Sequence, residues 1–262
     1  MDEVNKTLYI PLYGKAIVSK QKIILNDPMA EEIWNAEQFP IKGKSKSKWL
    51  CYNMAMRAKV FDDWTSSMLN EHKQALVLHI GCGLDSRCLR VNAPERNWID
   101  CDFPAVIFAR RRYYKETDYY SMRCFDATNQ DDLLSLPDAP CAIVVLEGVS
   151  MYLSNEQLRD MFRILKHKYK KILALMDVYT EFGAKASKYK NPINDVGITK
   201  LYGVDDIDQL LRTTGCRCVM EHTFTPQYLV NELKLFDKTI FKMLFTGKLY
   251  RKIYRLYEVR SE

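Results

Sequence analysis

Seven residues, Gly81-Cys82-Gly83-Leu84-Asp85-Ser86-Arg87, have the composition of a ligand-binding turn. They follow Ala75–Ile80, an apolar run that reads as a buried strand. Two glycines at a strand-to-helix turn let the backbone bend sharply and approach a ligand without a side chain in the way. A second short predicted strand, Asn97–Cys101, leads into Asp102, which lies 19 positions after Gly83. That spacing is close to the roughly 20 positions that separate a glycine turn from a ribose-binding acid. Together the turn and the acid point to a ligand that contains adenosine.

A dinucleotide also needs a third glycine so that helix and sheet pack closely near its pyrophosphate. Here Ser86 stands in its place, and an acid, Asp85, occupies the turn. A phosphate is poorly served beside a carboxylate, whereas a sulfonium cofactor carries no phosphate. The residues therefore favour S-adenosylmethionine, with a nicotinamide-dependent oxidoreductase as the alternative. Glu147 closes a fourth, strongly apolar predicted strand, Cys141–Leu146. A carboxylate so placed needs a partner, and a cofactor ammonium is one. His79 lies within a predicted strand and His167 late in a predicted helix, and none of the four histidines (His72, His79, His167, His222) falls in the motifs at a strand's carboxyl end. A carboxylic acid acceptor is already ionised at neutral pH, while a phenol with a pKa near 10 usually wants a general base. The lack of an obvious base leans toward carboxyl methylation.

The elements that must position these residues have two textures. Up to about Lys73 the chain reads as helical, with Trp49, Met54, Met56, Val60, Trp64 and Met68 recurring at near-helical spacing. From residue 74 onward, short apolar runs alternate with amphipathic segments, the mark of repeated βα units. Tyr119–Phe125, Lys171–Val178 and Cys216–His222 read as further strands, and Ser154 with Gln157 as a capping box opening a helix. In the tail, Leu229, Leu233, Phe236, Ile240 and Leu244 fall on one helical face, and Ile253–Arg260 is a candidate last strand. The fold class is α/β, a doubly wound and mainly parallel sheet. Residues 1–73 form a helical N-terminal cap and 74–262 the core, with helical insertions near 179–202 and 226–249.

A chain of 262 residues with 47% hydrophobic and 27% charged residues suits one packed α/β unit and excludes wholesale disorder. The net charge of +6 is spread along the sequence; Lys42, Lys44, Lys46 and Lys48 form its one local concentration. That run reads as a solvated loop, with a mobile flap over an anionic ligand as the functional variant. It lacks the interleaved aromatics of a nucleic-acid surface, so no nucleic-acid partner is expected. No stretch reaches the roughly 18–20 apolar residues of a membrane span, and the N-terminus has no apolar signal core. A cytoplasmic protein without a membrane partner is expected. The eight cysteines lack metal-ligand spacing and are expected to be reduced structural thiols, with no metal.

Four ordered segments carry a resemblance. Leu76–Arg87 (LVLHIGCGLDSR) resembles a first motif of the form strand, then G-x-G-x-D-[ST]-R, and Trp98–Pro104 (WIDCDFP) a second, acid-x-Asp-x-Pro. Leu146–Leu153 (LEGVSMYL) resembles an E-G-x-x-x-Y-L segment. Upstream, Gly14-Lys15-Ala16, Asn26-Asp27-Pro28 and Arg57 are placed like the N-terminal basic and D-P elements. These are the motifs of the leucine carboxyl methyltransferase-like family, which includes polyketide-type O-methyltransferases and enzymes that methylate a phosphatase C-terminus. The resemblance implies a Rossmann-like class I methyltransferase core that uses S-adenosylmethionine. It implies that Gly81 and Gly83 pass under the methionine and ribose parts of the cofactor, and that Asp102 holds the ribose hydroxyls. Asp126 would meet the adenine amino group and Glu147 the cofactor's amino group. Lys15 and Arg57 would neutralise carboxylates of cofactor or substrate, and Tyr152 would reach the acceptor. His79, Cys82 and Ala127 depart from the usual fillings. The chain is short beside the phosphatase-directed enzymes, which favours a small-molecule carboxylic acid over a protein C-terminal carboxylate.

Overall fold

The computed structural model describes residues 7–41, 43–190 and 201–261. Strand β1 (Leu76–Ile80) is buried at every position, so its sequence shows no polar alternation. It lies third in a seven-stranded sheet with β2 (Trp98–Asp102), β3 (Tyr120–Cys124), β4 (Cys141–Leu146), β5 (Lys171–Tyr179), β6 (Cys216–His222) and β7 (Tyr254–Ser261). The order is β3-β2-β1-β4-β5-β7-β6. Strands β1 to β5 are parallel, and β7 runs antiparallel between β5 and β6. Chain order reverses between β1 and β4, and the crevice outside their carboxyl ends is where such sheets bind ligands.

Period-two alternation divides the strands between two cores. Val77, Ile143, Val145, Leu173 and Leu175 face one side and pack with Met56, Phe61 and Trp64. Leu78, Ala142, Val144, Leu146 and Ala174 face the other and pack with Leu158, Phe162 and Leu165. The first group of partners comes from a long helix, α3 (Lys48–Glu71), which follows α1 (Tyr9–Lys20) and α2 (Pro28–Glu37). Asp27 caps α2 by accepting from Ala30 N at 2.9 Å, with Pro28 at the first helical position.

Short helices α4 (Arg87–Arg90), α5 (Pro104–Arg110) and α6 (Gln130–Leu134) follow the first three strands. Helix α7 (Asn155–Lys168) opens with the Ser154–Gln157 capping box that the sequence suggested. Among the described residues the remaining α-helices are α8 (Glu181–Lys190), α9 (Ile207–Leu211), α10 (Gln227–Val230), α11 (Leu235–Phe245) and α12 (Gly247–Arg251).

The tail departs from its periodicity. Leu229 and Leu233 are buried, but Phe236 and Leu244 are exposed, and Phe241 takes the inward position. The chain breaks helix after Val230, where the Glu232 carboxylate reaches back to accept from Ile24 N at 2.5 Å. Helix α11 restarts out of phase, so the five residues never share one face. The lysine run is also only partly visible: Lys42 lies outside the described residues, and Lys48 pairs with Asp237 at 2.9 Å.

Candidate functional site

A cavity of about 450 Å³ opens at the carboxyl ends of β1 and β4, within the roughly 300–1,000 Å³ typical of small-ligand sites. All eight residues singled out from the sequence line it: Lys15, Arg57, Gly81, Gly83, Asp102, Asp126, Glu147 and Tyr152. One end is built by the strand ends. Gly81 has φ +68°, and a Cβ there would lie 2.2 Å from Val149 Cγ2. Both the backbone and the neighbour therefore demand glycine. A Gly81→Ala variant is expected to lose about 1–3 kcal/mol of stability, read by urea unfolding. Gly83, also left-handed at φ +55°, donates its N–H to Asp102 Oδ2 at 2.7 Å. Phe103 N donates to the other carboxylate oxygen at 2.8 Å. Burial pushes the Asp102 carboxyl up to about 6, with these two backbone donors opposing it. Asp126 Oδ1 accepts from both Thr128 N and Thr128 Oγ1 at 2.8 Å in a turn after β3.

Behind this end lies a buried ionic network that composition did not announce. Lys15 pairs with Asp85 at 2.8 Å, and Asp85 also faces Arg90 at 2.6 Å and Arg87 at 3.4 Å. Asp62, from α3, accepts from Arg87 Nε at 2.8 Å and Arg90 Nε at 2.7 Å. Arg87 reaches Glu147 Oε2, and Arg57 Nε donates to Glu147 Oε1 at 2.9 Å. Burial alone would raise the Glu147 pKa; Arg57 and Arg87 outweigh it and bring it down to about 2. Arg57 Nη1 also donates to Asp177 Oδ2 at 3.2 Å and to Tyr254 Oη at 2.9 Å, while Nη2 lies beside Gly148 on the cavity wall. Gly148 N donates to Asp177 Oδ1 at 2.7 Å, and Tyr254 donates to Oδ2. Burial holds the Asp177 carboxyl above the usual range even so.

The geometry adds protein partners to three of these residues. Lys15 and Arg57, taken from the sequence as counter-ions for ligand carboxylates, already have protein partners. Asp85 is ringed by three cations, Arg90, Lys15 and Arg87, which outweigh burial and hold its carboxyl well below the usual range. His79 is buried between Arg87 and Asp100. Arg87 Nη1 donates to Nε2 at 3.0 Å, so Nδ1 carries the proton and donates to Asp100 Oδ1 at 3.1 Å. Burial, with Arg87 adding to it, lowers the imidazole pKa and keeps the ring neutral.

The other end of the cavity is apolar and aromatic. Tyr152, Tyr179, Tyr250, Tyr254, Phe245 and Met54 line it. The rings pack on one another, with Tyr179–Tyr254 centroids 4.8 Å apart and Phe245–Tyr250 5.6 Å apart. Tyr250 donates to Asn53 Oδ1 at 3.1 Å, and Asn53 Nδ2 has no partner among the described residues. Sequence reasoning missed Asp177 and Tyr254. Asp177 sits inside an apolar strand, a signal that was present; Tyr254 gains its place only because β7 pairs with β5.

The leucine carboxyl methyltransferase family model matches residues 6–123. The tetracenomycin polyketide synthesis O-methyltransferase TcmP of Streptomyces glaucescens is 30% identical over 203 residues, covering 77% of this chain and 75% of that protein. The chain belongs to the leucine carboxyl methyltransferase family. It is an S-adenosylmethionine-dependent O-methyltransferase, which sets the nicotinamide alternative aside. The S-adenosyl-L-methionine-dependent methyltransferase dpfgK of Gibberella zeae is 26% identical over 63% of this chain and 61% of that one. Magnesium protoporphyrin IX methyltransferase from Synechocystis PCC 6803 superposes with a TM-score of 0.54 at 12% identity, covering 95% of this chain and all of that one. At that identity the likeness speaks for the fold, here the class I methyltransferase core. None of the described helices of this methyltransferase is long and apolar enough to cross a membrane.

Proposed function

We propose that this methyltransferase esterifies the carboxylate of a small, largely apolar or aromatic acid. The observation that carries the reading is the composition of the cavity's second end. Aromatic walls meet Arg57 and the Tyr152 hydroxyl at the boundary with the strand ends, and the nearby histidine, His79, is locked neutral between Arg87 and Asp100. Burial holds the Tyr152 pKa above its usual value, so its hydroxyl stays a donor. An acceptor that arrives ionised suits such a site, whereas a phenol would want a base. The role in polyketide synthesis named for TcmP fits a small-molecule acceptor.

The cradle fits the cofactor: two left-handed glycines present bare backbone, and a carboxylate stands beside them at the end of β2. When bound, S-adenosylmethionine supplies a methyl carbon activated by its sulfonium. Asp102 would accept from the ribose hydroxyls, Asp126 from the adenine amino group, and Glu147 would lie nearest the cofactor's ammonium. Lys15 and Arg57 would offset the charge of its carboxylate. Arg57 Nη2 and Tyr152 would orient the acceptor oxygen for in-line displacement, and the aromatic wall would exclude water. Alignment of this kind contributes up to about 7–11 kcal/mol in well-oriented systems.

The test is methyl transfer to matched panels of apolar carboxylic acids, phenols and peptides with free C-termini, read by mass spectrometry. Methyl esters of the small acids are expected, with Tyr152→Phe slowing turnover by about 10-fold to 100-fold. Turnover of phenols alone, or of peptide C-termini alone, would reject the assignment. Unchanged turnover in Tyr152→Phe would remove that residue's role.

Asp102 also makes cofactor affinity depend on pH. Its ionised form is the acceptor, so affinity for S-adenosylhomocysteine should be flat above pH 7. Below about 6 it should weaken, approaching tenfold per pH unit. The folded pKa is raised above the unfolded value of roughly 3.9. This group's contribution to the stability of the ligand-free protein is therefore present below about pH 4 and lost as pH rises through 6. Calorimetric titration across pH 5–8 should show the affinity slope, and Asp102→Asn should abolish it.

A further inference from the structure

We infer that the α11–α12 face is a docking surface for an anionic lipid bilayer. Helix α11 is inverted relative to an ordinary surface helix: Phe241 is its one buried residue, while its outward side carries Leu235 at 83%, Phe236 at 71% and Met243 at 78% exposure. Leu249 on the following helix, α12, is likewise 74% exposed. Scattered exposed apolar residues need no explanation, but a contiguous run of large ones does.

Charge says what covers it. Between positions 234 and 255 the chain holds seven basic residues (Lys234, Lys238, Lys242, Lys248, Arg251, Lys252, Arg255), of which Arg251 is paired with Glu221 at 2.8 Å, against a single acid, Asp237. That acid is already engaged by Lys48 and Tyr52. At helical spacing Lys234, Lys238 and Lys242 run along one border of the outward apolar side of α11. An apolar face with a lysine border is the composition of helices that lie in the membrane–water interface, their apolar side in the acyl boundary and their cations on anionic headgroups. A second copy of this chain is a poor occupant. A two-fold contact would set the same patch against itself and bring the two lysine borders together.

The surface is continuous with the active cavity. Phe245, Tyr250 and Ile253, from the inner side of the same segment, line its aromatic end. Docking there would place the acceptor cavity against the lipid phase, where apolar acids partition. That purpose rests on the proposed acceptor class; the docking itself does not. Nothing in this mode requires a spanning helix.

Flotation with lipid vesicles tests it without any turnover. The full chain is expected to float with phosphatidylcholine vesicles carrying about one third phosphatidylglycerol, and far less with phosphatidylcholine alone or at high salt. Phe236→Asp with Met243→Asp, and separately Lys242→Glu with Lys248→Glu, should each lower the partition coefficient at least tenfold. Their melting temperatures and thermal shift with S-adenosylhomocysteine should stay unchanged. The proposal is overturned if the wild-type chain does not float with anionic vesicles, or if both double variants float as it does. It is equally overturned if light scattering shows a dimer that Phe236→Asp dissociates, because a second copy then covers the face.

Discussion

An Arg110→Met variant is expected to unfold in urea with about 3–5 kcal/mol less stability than the wild type, as follows from removing one partner of a buried ion pair. Arg110 is fully buried although it ends a short surface-facing helix, α5. Its Nη2 holds Asp100, its Nη1 donates to Gly83 O at 3.1 Å and Asp85 O at 2.6 Å, and its guanidinium lies 3.9 Å from the Tyr114 ring centroid. Methionine fills the volume and packs on the ring, but it leaves Asp100 charged and two loop carbonyls without their donor. The Asp100 carboxyl, opposed by burial, is held well below the usual range chiefly by Arg110. The pair's contribution is therefore present above the unfolded value of roughly 4 and lost as pH falls below it. Adding Asp100→Asn to Arg110→Met should restore part of the loss, since the stranded charge is then gone. Affinity for S-adenosylhomocysteine should stay low in both, because the Gly83–Asp85 backbone that Arg110 holds would form the floor of the proposed cofactor site. A loss below about 1 kcal/mol would show that Asp100 finds solvent when its partner leaves.

Arg57→Ala is expected to act on stability and turnover separately. Two buried carboxylates, Glu147 and Asp177, lose a cation they share. The expected cost is again about 3–5 kcal/mol, read by urea unfolding. Glu147 keeps Arg87, so the larger injury falls on Asp177, whose carboxyl is already raised by burial and would protonate more readily. Wild-type Glu147, at about 2, contributes stability that is present above the unfolded glutamate value of roughly 4.3 and lost as pH falls toward 2. Arg57→Ala should narrow that acid window. The double variant Arg57→Ala/Asp177→Asn should regain stability without regaining turnover. Recovery of both would assign Arg57 a purely structural part.

Much of the site was legible because its chemistry is local. The Gly81–Gly83 turn, Asp102 at the end of β2, and Glu147 after an apolar strand are each set by a handful of consecutive residues. Strands β1, β4 and β5 were equally plain, since a strand buried on both faces must be written as an apolar run. Their boundaries moved by no more than one residue.

The remaining features depend on residues far apart in the chain. Asp62, Arg87, Arg90 and Arg110 look like surface charges in sequence, because nothing local says that an arginine on a short helix turns inward. They are buried only because each meets a carboxylate from another element, which offsets the cost of desolvation. Tyr254 reaches Asp177 because β7 inserts antiparallel between β5 and β6, a pairing that periodicity cannot express. The tail helix was misread for a related reason. Its apolar residues keep a helical period, but a backbone break fixed by Glu232 and Ile24 rotates Phe241 inward and leaves Phe236 in solvent. The sequence by itself determined the α/β class, the glycine turn after β1 and the family, because these rest on short segments and their order. Tertiary structure alone decided which charges are buried, which partner each one holds and which apolar face stays open. Those outcomes depend on long-range packing, where a residue's environment is supplied by chain tens of positions away.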